Sequence, residues 1–143
     1  MKTGALGINL IKDFEGCRLE AYLCPAKVWT IGYGHTGTVD GVKIKKGMKI
    51  AKYKASLLLA NDLLKFEKKV AKYDKKYKWT QNEFDALVSF ALNIGSIDKL
   101  TALGTRSKDT IAKKILAYNK VNGKSVNGLT RRREAEQWLF LHK

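Results

Sequence analysis

The stretch FEGCRLEAYLCPAKVWTIGYGHT, residues 14–36, determines how the rest of the chain is interpreted. It begins with Glu15, at the point where a short segment of helical apolar spacing stops at Gly16. It ends in WTIGYGHT, a run of aromatic and β-branched residues interrupted by glycines. A carboxylate at a helix end, followed within about twenty residues by a compact strand pair, indicates one wall of a cleft that carries an acid. The rest of the chain has helical periodicity and is expected to form the other wall.

Length and composition predict one globular domain with a large positive charge. The chain has 143 residues, of which 45% are hydrophobic and one is proline, so it can bury a core without disulfides or metals. The 28 Lys and Arg residues outnumber the 13 Asp and Glu residues, which gives a formal net charge of +15. An anionic partner is therefore expected, and nucleic acid, anionic lipid and acidic envelope polymers all fit that charge.

The cysteines and the N-terminus indicate an intracellular site of synthesis. Cys17 and Cys24 are too few for a disulfide framework, and with His35 they match no zinc-binding pattern. A regulatory Cys17–Cys24 disulfide is the less favoured alternative to two independent thiols, because it requires the intervening segment to fold back. The N-terminal apolar run is short and is interrupted from Asn9 onward, so neither a signal peptide nor a transmembrane anchor is expected.

The first fifty residues predict a helix and a small antiparallel sheet. Apolar spacing favours a helix over residues 3–14, and alternation favours a strand over residues 18–23 with its leucines and alanine on one face. A second strand is expected over residues 28–33, and a third short strand around residues 42–44.

From Ala51 onward the period becomes helical. A helix of five or six turns is expected to start there, with an apolar stripe formed by Leu59, Leu63, Phe66, Val70 and Tyr73. A capping box at residues 80–83 starts the next helix, which Gly95 ends. A further helix is expected to start near Ser107 or Asp109.

The C-terminal part predicts a loop and a last helix. The further helix carries Ile111, Ile115 and Tyr118. Residues 122–128 are rich in glycine and asparagine and predict a loop. The last helix is expected to begin near Thr130 and to bury Trp138 and Leu139.

The spacing of three residues in the opening stretch resembles a known enzyme motif. Glu15, eight residues, Cys24, five residues and Thr30 follow the E-x8-(D/C)-x5-T pattern of the phage-type lysozymes, the endolysins of glycoside hydrolase family 24. The similarity continues through three further segments and covers nearly the whole chain in the same order: WTIGYGHT at 29–36, QNEFDALVSFALNIG at 81–95 and GLTRRREAEQWLF at 128–140.

The resemblance implies a fold and an activity. The fold would be α+β and predominantly α: a single two-lobe lysozyme-like domain over residues 1–143. One lobe would be a small N-terminal antiparallel sheet at about 15–50. The other would be helical and would consist of residues of about 75–143 together with the N-terminal helix. A long helix would link the two lobes, and the cleft would lie between them. The activity would be that of a muramidase, a glycoside hydrolase that cleaves the β-1,4 bond between N-acetylmuramic acid and N-acetylglucosamine in bacterial peptidoglycan.

The same resemblance implies catalytic roles. Glu15 would protonate the leaving oxygen, and both its helix-end position and the neighbouring Phe14 favour the protonated carboxyl that a general acid needs. Cys24, together with Thr30, would position or activate the attacking water. A thiol is a weaker base than a carboxylate at pH 7 unless its surroundings favour the thiolate. No metal or cofactor is required.

Five further residues are candidates for substrate binding or support. Consecutive helical residues point in different directions, so the three arginines at 131–133 cannot all reach one ligand; Arg132 best matches the arginine that supports the catalytic glutamate in the resembled family. His35 is expected to be a structural hydrogen-bonding residue at the cleft edge, Tyr33 a sugar-stacking or core residue, and Leu92 and Asn93 cleft residues at a helix end. Residues 97–107 are shortened relative to the family, and substrate contacts there are not transferred.

The implied setting is bacterial cell lysis by a phage or prophage. The protein would be a monomer made in the host cytoplasm, would have peptidoglycan as its partner, with no nucleic acid and no membrane anchor, and would need a holin to reach the wall in the periplasm. Two alternatives stay open: a basic module that binds nucleic acid or envelope polymers, and a degenerate lysozyme fold that binds the wall without turnover. Lys27, which stands where the family usually has glycine, and Cys24 make the second alternative relevant.

Overall fold

The computed structural model describes residues 1–143, which form six helices and seven short strands. In chain order these elements are α1 (Ala5–Glu15), β1 (Arg18–Leu23), β2 (Trp29–Gly32), β3 (His35–Thr36), β4 (Thr38–Val39), β5 (Val42–Lys43), α2 (Lys52–Ala71), α3 (Asp74–Tyr77), α4 (Gln81–Ile94), α5 (Lys108–Ile115), β6 (Lys120–Val121), β7 (Lys124–Ser125) and α6 (Asn127–Leu141). All strand pairs are antiparallel. The predicted α+β class, predominantly α, is confirmed.

The chain divides into two compact units. Unit 1 consists of Met1–Ile11 and Lys65–Lys143, and unit 2 consists of Lys12–Leu64. Helices α1 and α2 each contribute residues to both units. The 20 residues of α2 make between five and six turns, as the sequence predicts.

Unit 2 contains a three-stranded sheet in the order β1-β2-β3. Its core is built around Ile31, Val39 and Ile44. The alternation predicts strand β1 correctly, but the residues expected on one face do not form a buried face, because Leu19 is 41% exposed and Leu23 is 52% exposed. The pairing of β1 with β2 is irregular between Arg18 and Tyr22, and such an irregularity breaks the two-residue alternation of faces.

Unit 1 is built on the packing of α4 against α6. The predicted capping box is present: the Thr80 hydroxyl accepts a hydrogen bond from the backbone N–H of Glu83, and the Glu83 carboxylate accepts one from the N–H of Thr80. Gly95, with φ of 117°, ends the helix as predicted. The eight residues 84–91 of α4 are all buried. Such a continuous run means that α4 is surrounded on all sides rather than packed on one face.

The start of α1 is held in unit 1 by Asp85. This buried carboxylate accepts hydrogen bonds from the backbone N–H groups of Gly4 (2.9 Å) and Gly7 (3.2 Å). A Cβ on Gly7 would lie 2.6 Å from the Cβ of Asp85, so only glycine permits this approach. Asp85 thus satisfies helix N-terminal donors from a distant part of the chain.

The C-terminal region differs from the prediction in three ways. The last helix begins at Asn127 rather than near Thr130, and the predicted loop at 122–128 contains a turn, strand β7 and the start of α6. Leu139 is buried as predicted, but Trp138 is 62% exposed. Trp138 lies on the face of α6 opposite its buried residues and stacks on His142 at 4.5 Å between ring centroids. No helix combines the length and the apolar character that a bilayer crossing needs.

Candidate functional site

Glu15 is the last residue of α1 and is half-buried. Gly16 follows in the left-handed region, with φ of 70°, and its N–H closes the helix by donating to the carbonyl of Lys12 at 3.0 Å. The Glu15 carboxylate lies against the backbone of Gly34, where a Cβ would be 3.3 Å from Oε1. The absence of a side chain at Gly34, in the turn after β2, therefore leaves room for the carboxylate of Glu15.

Cys24 and Thr30 lie side by side where β1 and β2 are joined. Thr30 is buried in β2 and pairs with Tyr22 of β1, so the turn brings Cys24 back beside it. The pKa of the Cys24 thiol is lowered, chiefly because the backbone N–H of Val28 donates a hydrogen bond to it. The N–H of Ala26 and the Thr30 hydroxyl act in the same direction, and partial burial opposes them.

The Thr30 hydroxyl has two acceptors within reach. It donates to the carbonyl of Val28 at 2.9 Å, and it is also one of the groups that stabilise the Cys24 thiolate. Because a hydroxyl carries one proton, it can donate to only one of these acceptors at a time. Thr30 can therefore stabilise the thiolate only when its hydroxyl turns away from the carbonyl of Val28.

The turn between these two residues contains Lys27 in the left-handed region, with φ of 61°. Its N–H donates to the carbonyl of Cys24 at 2.8 Å, and the N–H of Cys24 donates to the carbonyl of Val28 at 3.0 Å. Lys27 thus adopts a backbone conformation that is more favourable for glycine.

His35 is held by both of its ring nitrogens. Nδ1 lies 2.7 Å from a carboxylate oxygen of Asp62 in α2, and Nε2 lies 2.7 Å from the carbonyl of Thr38. Both nitrogens are occupied by protein groups, which agrees with a structural hydrogen-bonding role rather than proton transfer to a substrate. Asp62, which has no distinguishing pattern in the sequence, anchors β3 to α2 through this contact.

Tyr33 is buried beside polar groups. Burial raises its pKa, the neighbouring Cys17 raises it further, and a hydrogen bond with Ser56 opposes the rise. The ammonium group of Lys12 lies 5.2 Å from the ring centroid of Tyr33 and donates to the Ser56 hydroxyl at 2.9 Å. With 8% of its surface exposed, Tyr33 is a core residue of unit 2, not an open stacking platform.

Arg132 belongs to a buried ionic cluster in unit 1. Its Nε donates to Glu136 at 3.3 Å, and its Nη2 donates to the carbonyl of Ser89 at 3.1 Å. Arg133 Nε lies 2.7 Å from the other Glu136 oxygen, a close ion pair whose angle is poor for a hydrogen bond, while its Nη2 donates to Glu136 at 3.0 Å. The Ser89 hydroxyl donates to Glu136 at 2.6 Å. Burial raises the pKa of Glu136, and both guanidinium groups oppose that rise.

The predicted site residues fall into two groups. Unit 2 contains Glu15, Cys24, Thr30, Tyr33 and His35, and among these the fold brings Cys24 and Thr30 into direct contact. Unit 1 contains the remaining candidates: Arg132, Leu92 and Asn93. Leu92 is half-buried and Asn93 is exposed, and both lie in the last turn of α4.

Neither a metal-binding cluster nor either of two surface pockets near the C-terminus includes the predicted site residues. No group of three His, Cys, Asp or Glu side chains is arranged to hold a metal ion. Pockets of about 520 and 440 Å³ lie in unit 1 near the C-terminus, and none of the predicted site residues lines them. Neither cysteine forms a disulfide, and the six residues of the extended strand β1, about 20 Å of chain, lie between Cys17 and Cys24, which places the two thiols beyond disulfide reach.

Comparisons with known proteins place these residues in a family context. The sequence model described as phage lysozyme matches residues 12–136. The endolysin of Bacillus phage B103 is 42% identical over 148 residues, which covers 99% of this chain, and the chain spans 54% of that relative's length. The endolysin of Salmonella phage P22 is 36% identical, with 99% of each chain covered. A solved endolysin structure from Escherichia coli O157:H7 phage FAHEc1 superposes with a TM-score of 0.84 at 39% identity, covering 99% of this chain and 94% of that one.

Proposed function

The chain belongs to the phage lysozyme family, and from this premise we propose that it is an endolysin that hydrolyses the β-1,4 bond between N-acetylmuramic acid and N-acetylglucosamine in peptidoglycan. It works as a monomer without a cofactor and has no nucleic-acid partner. It is made in the bacterial cytoplasm and reaches the wall through a holin pore. The residues proposed to carry the chemistry are Glu15, Cys24 and Thr30, all in unit 2.

In the proposed reaction Glu15 is the general acid. It gives its proton to the glycosidic oxygen as the bond to C1 of N-acetylmuramic acid breaks, and water adds at C1. The Cys24 thiolate takes the proton of that water, and the Thr30 hydroxyl orients it. The products are a new reducing N-acetylmuramic acid end and a free hydroxyl on N-acetylglucosamine.

The observation that supports this proposal most strongly is the environment of Cys24. A thiol is mostly protonated at neutral pH and would be a poor base. Backbone N–H groups of Val28 and Ala26 lower the pKa of Cys24 and so raise the thiolate fraction. The surroundings of Cys24 therefore fit the role that the family motif gives to this position. Arg132, His35, Tyr33, Leu92 and Asn93 are proposed to support or contact the substrate site.

The proposal predicts that Glu15→Gln abolishes wall lysis without unfolding the protein. Removal of a general acid slows such a reaction by about 100-fold or more. The decrease in turbidity of purified peptidoglycan measures the rate, and circular dichroism checks the fold. Glu20→Gln is the matched control, because Glu20 is an exposed carboxylate in β1 of the same unit, and it should keep the parent rate.

The outcome also separates the two rival functions. Lysis within about tenfold of the parent in Glu15→Gln would remove Glu15 from the mechanism. A parent protein that binds the wall and leaves its turbidity unchanged would instead identify a binding module or a degenerate fold.

A further inference from the structure

Seven exposed lysines are concentrated in one short segment of unit 1. They lie within residues 65–78, which cover the last turns of α2, helix α3 and the residue after it, and all seven are exposed: Lys65, Lys68, Lys69, Lys72, Lys75, Lys76 and Lys78. We call these residues the lysine patch. The same segment contains two acidic residues, Glu67 and Asp74, so its net charge is +7 − 2 = +5.

The two carboxylates of the segment accept hydrogen bonds from groups outside the lysine patch. Glu67 accepts hydrogen bonds from the backbone N–H and the hydroxyl of Thr3, at 2.8 and 2.6 Å. Asp74 accepts one from the backbone N–H of Trp79 at 3.1 Å. Asp98, outside the segment, forms the one ion pair with a patch lysine, to Lys72 at 3.3 Å. Counting Asp98, the patch keeps a net charge of +4.

Buried aromatic rings hold four of the ammonium groups in place. Lys65 and Lys69 lie over Phe66 at 5.0 and 5.3 Å, and Lys72 lies over Tyr73 at 5.3 Å. Lys76 lies over Tyr77 at 5.7 Å in the same way. Side chains already restrained in the free protein lose less entropy when they bind a ligand. The patch is therefore partly preorganised.

Stability explains only part of this arrangement. Lys65 and Lys69, like Lys68 and Lys72, are four residues apart on one helix, and like charges at this spacing destabilise a helix by about 0.2–0.5 kcal/mol per pair. The helix dipole favours cations in the last turn of α2, which contains Lys68 and Lys69, and Lys69 also donates to the carbonyl of Gly95 at 2.7 Å. Ion pairs with acidic neighbours would have removed the repulsion, and only Lys72 has one.

The patch exposes ammonium groups but no large apolar side chain, and this difference favours one class of anionic partner over the others. The large apolar side chains of the segment are buried, with Val70 at 0% and the three rings at 8–9% exposure, so no apolar face is available to enter a bilayer. The same burial leaves no open ring on which nucleic-acid bases could stack. Charges four residues apart along α2 are about 6 Å apart, well within the Debye length of about 10 Å at 0.1 M salt, and act together on a linear polyanion.

We propose that the lysine patch binds an anionic phosphodiester polymer of the bacterial envelope, which concentrates the protein at the wall. This inference rests on the proposed function, because the wall is where the protein would meet such a polymer. The contacts are ammonium to phosphate and are independent of polymer sequence. The lysines that make them are not among the residues proposed for hydrolysis.

The test compares two variants of equal charge. Lys65→Gln, Lys68→Gln and Lys76→Gln together remove three patch charges, and Lys113→Gln, Lys120→Gln and Lys124→Gln remove three exposed charges elsewhere in unit 1. Both lower the formal net charge from +15 to +12. Binding to purified poly(glycerol phosphate) is measured by calorimetry over a salt series, with circular dichroism as the check on folding.

The expected result is a selective loss in the patch variant. Three lost phosphate contacts should lower the slope of log K against log salt by about 2 and weaken binding at low salt by at least about tenfold, whereas the control should stay within about threefold of the parent. Equal losses in the two variants would overturn the proposal. So would binding at least about tenfold tighter, at equal phosphate, to vesicles of phosphatidylglycerol or to single-stranded DNA. Lysis of peptidoglycan stripped of phosphate polymers tests the proposed hydrolysis separately.

Discussion

At the scale of single residues, Cys24 carries the sharpest chemical question. A carboxylate would be ionised at neutral pH with no help, whereas a thiol needs donors around it. The turn after β1 supplies those donors from its own backbone, with Val28 as the largest contributor to the lowered pKa. Backbone donors beside the sulfur are what a thiol needs for the role proposed for Cys24.

The role of Cys24 predicts a shift in the pH dependence of lysis. A base acts when it is deprotonated, so the rate should rise with pH through the pKa of Cys24, which hydrogen-bond donors, chiefly the backbone N–H of Val28, lower from the ordinary value of a thiol. In Cys24→Asp the rise should move toward pH 4 with activity within about tenfold of the parent, while Cys24→Ala should lose about 100-fold. Turbidity rates across pH measure both effects.

The control for this prediction is Cys17→Ser, which should keep the parent profile. Alkylating reagents should inhibit Cys17→Ser and the parent and should spare Cys24→Asp. Full activity in Cys24→Ala would make Cys24 a structural residue.

The left-handed backbone conformation of Lys27 predicts measurable backbone strain in the same turn. A left-handed conformation costs a residue with a Cβ about 1–2 kcal/mol, and substitution by glycine removes this cost. The larger entropy of glycine in the unfolded chain cancels part of the stability so gained. Lys27→Gly should therefore raise the free energy of unfolding by about 0.5–1 kcal/mol in urea denaturation. Lys46→Gly, an exposed turn position with negative φ, should instead be neutral or destabilising. No gain in Lys27→Gly would show that the turn is unstrained.

At the scale of elements, the contact between α4 and α6 depends on a buried carboxylate. Glu136 meets Arg132, Arg133 and the hydroxyl of Ser89, and Arg133 and Glu136 are fully buried. Removing one partner of a buried ion pair leaves an uncompensated charge, which costs about 3–5 kcal/mol. Glu136→Gln should lower the free energy of unfolding by that amount. Glu134→Gln, exposed on the same helix, should change it by less than about 0.5 kcal/mol.

The elements that sequence analysis predicts well are those with local signals. Thr80 and Glu83 form a capping box through contacts three residues apart, and the stop at Gly16 depends on its own φ. The exposure of Trp138 has no such signal, because it depends on which face of α6 the buried ionic cluster occupies. Two arginines and a glutamate lie on that buried face, so hydrophobic periodicity does not identify it and Trp138 is wrongly predicted to be buried.

At the scale of the whole molecule, the motif predicts which residues to examine but not what surrounds them. The spacing of Glu15, Cys24 and Thr30 is readable from the chain, and the family match covers residues 12–136. Asp62, which holds His35, and Asp85, which caps α1, act over distances of 27 to 81 residues. Contacts between residues so far apart in sequence arise only from the folded arrangement, and without relatives to compare nothing in the sequence marks them.

The most direct test of the account is the identity of the new sugar ends that the protein creates. Purified peptidoglycan is digested, the products are reduced with borohydride and hydrolysed, and the reduced amino sugars are identified. Hydrolysis at C1 of N-acetylmuramic acid predicts reduced muramic acid in amounts that rise with lysis and are absent with Glu15→Gln. Reduced glucosamine, or lysis with no new reducing end, would contradict the assignment of this chain as a muramidase.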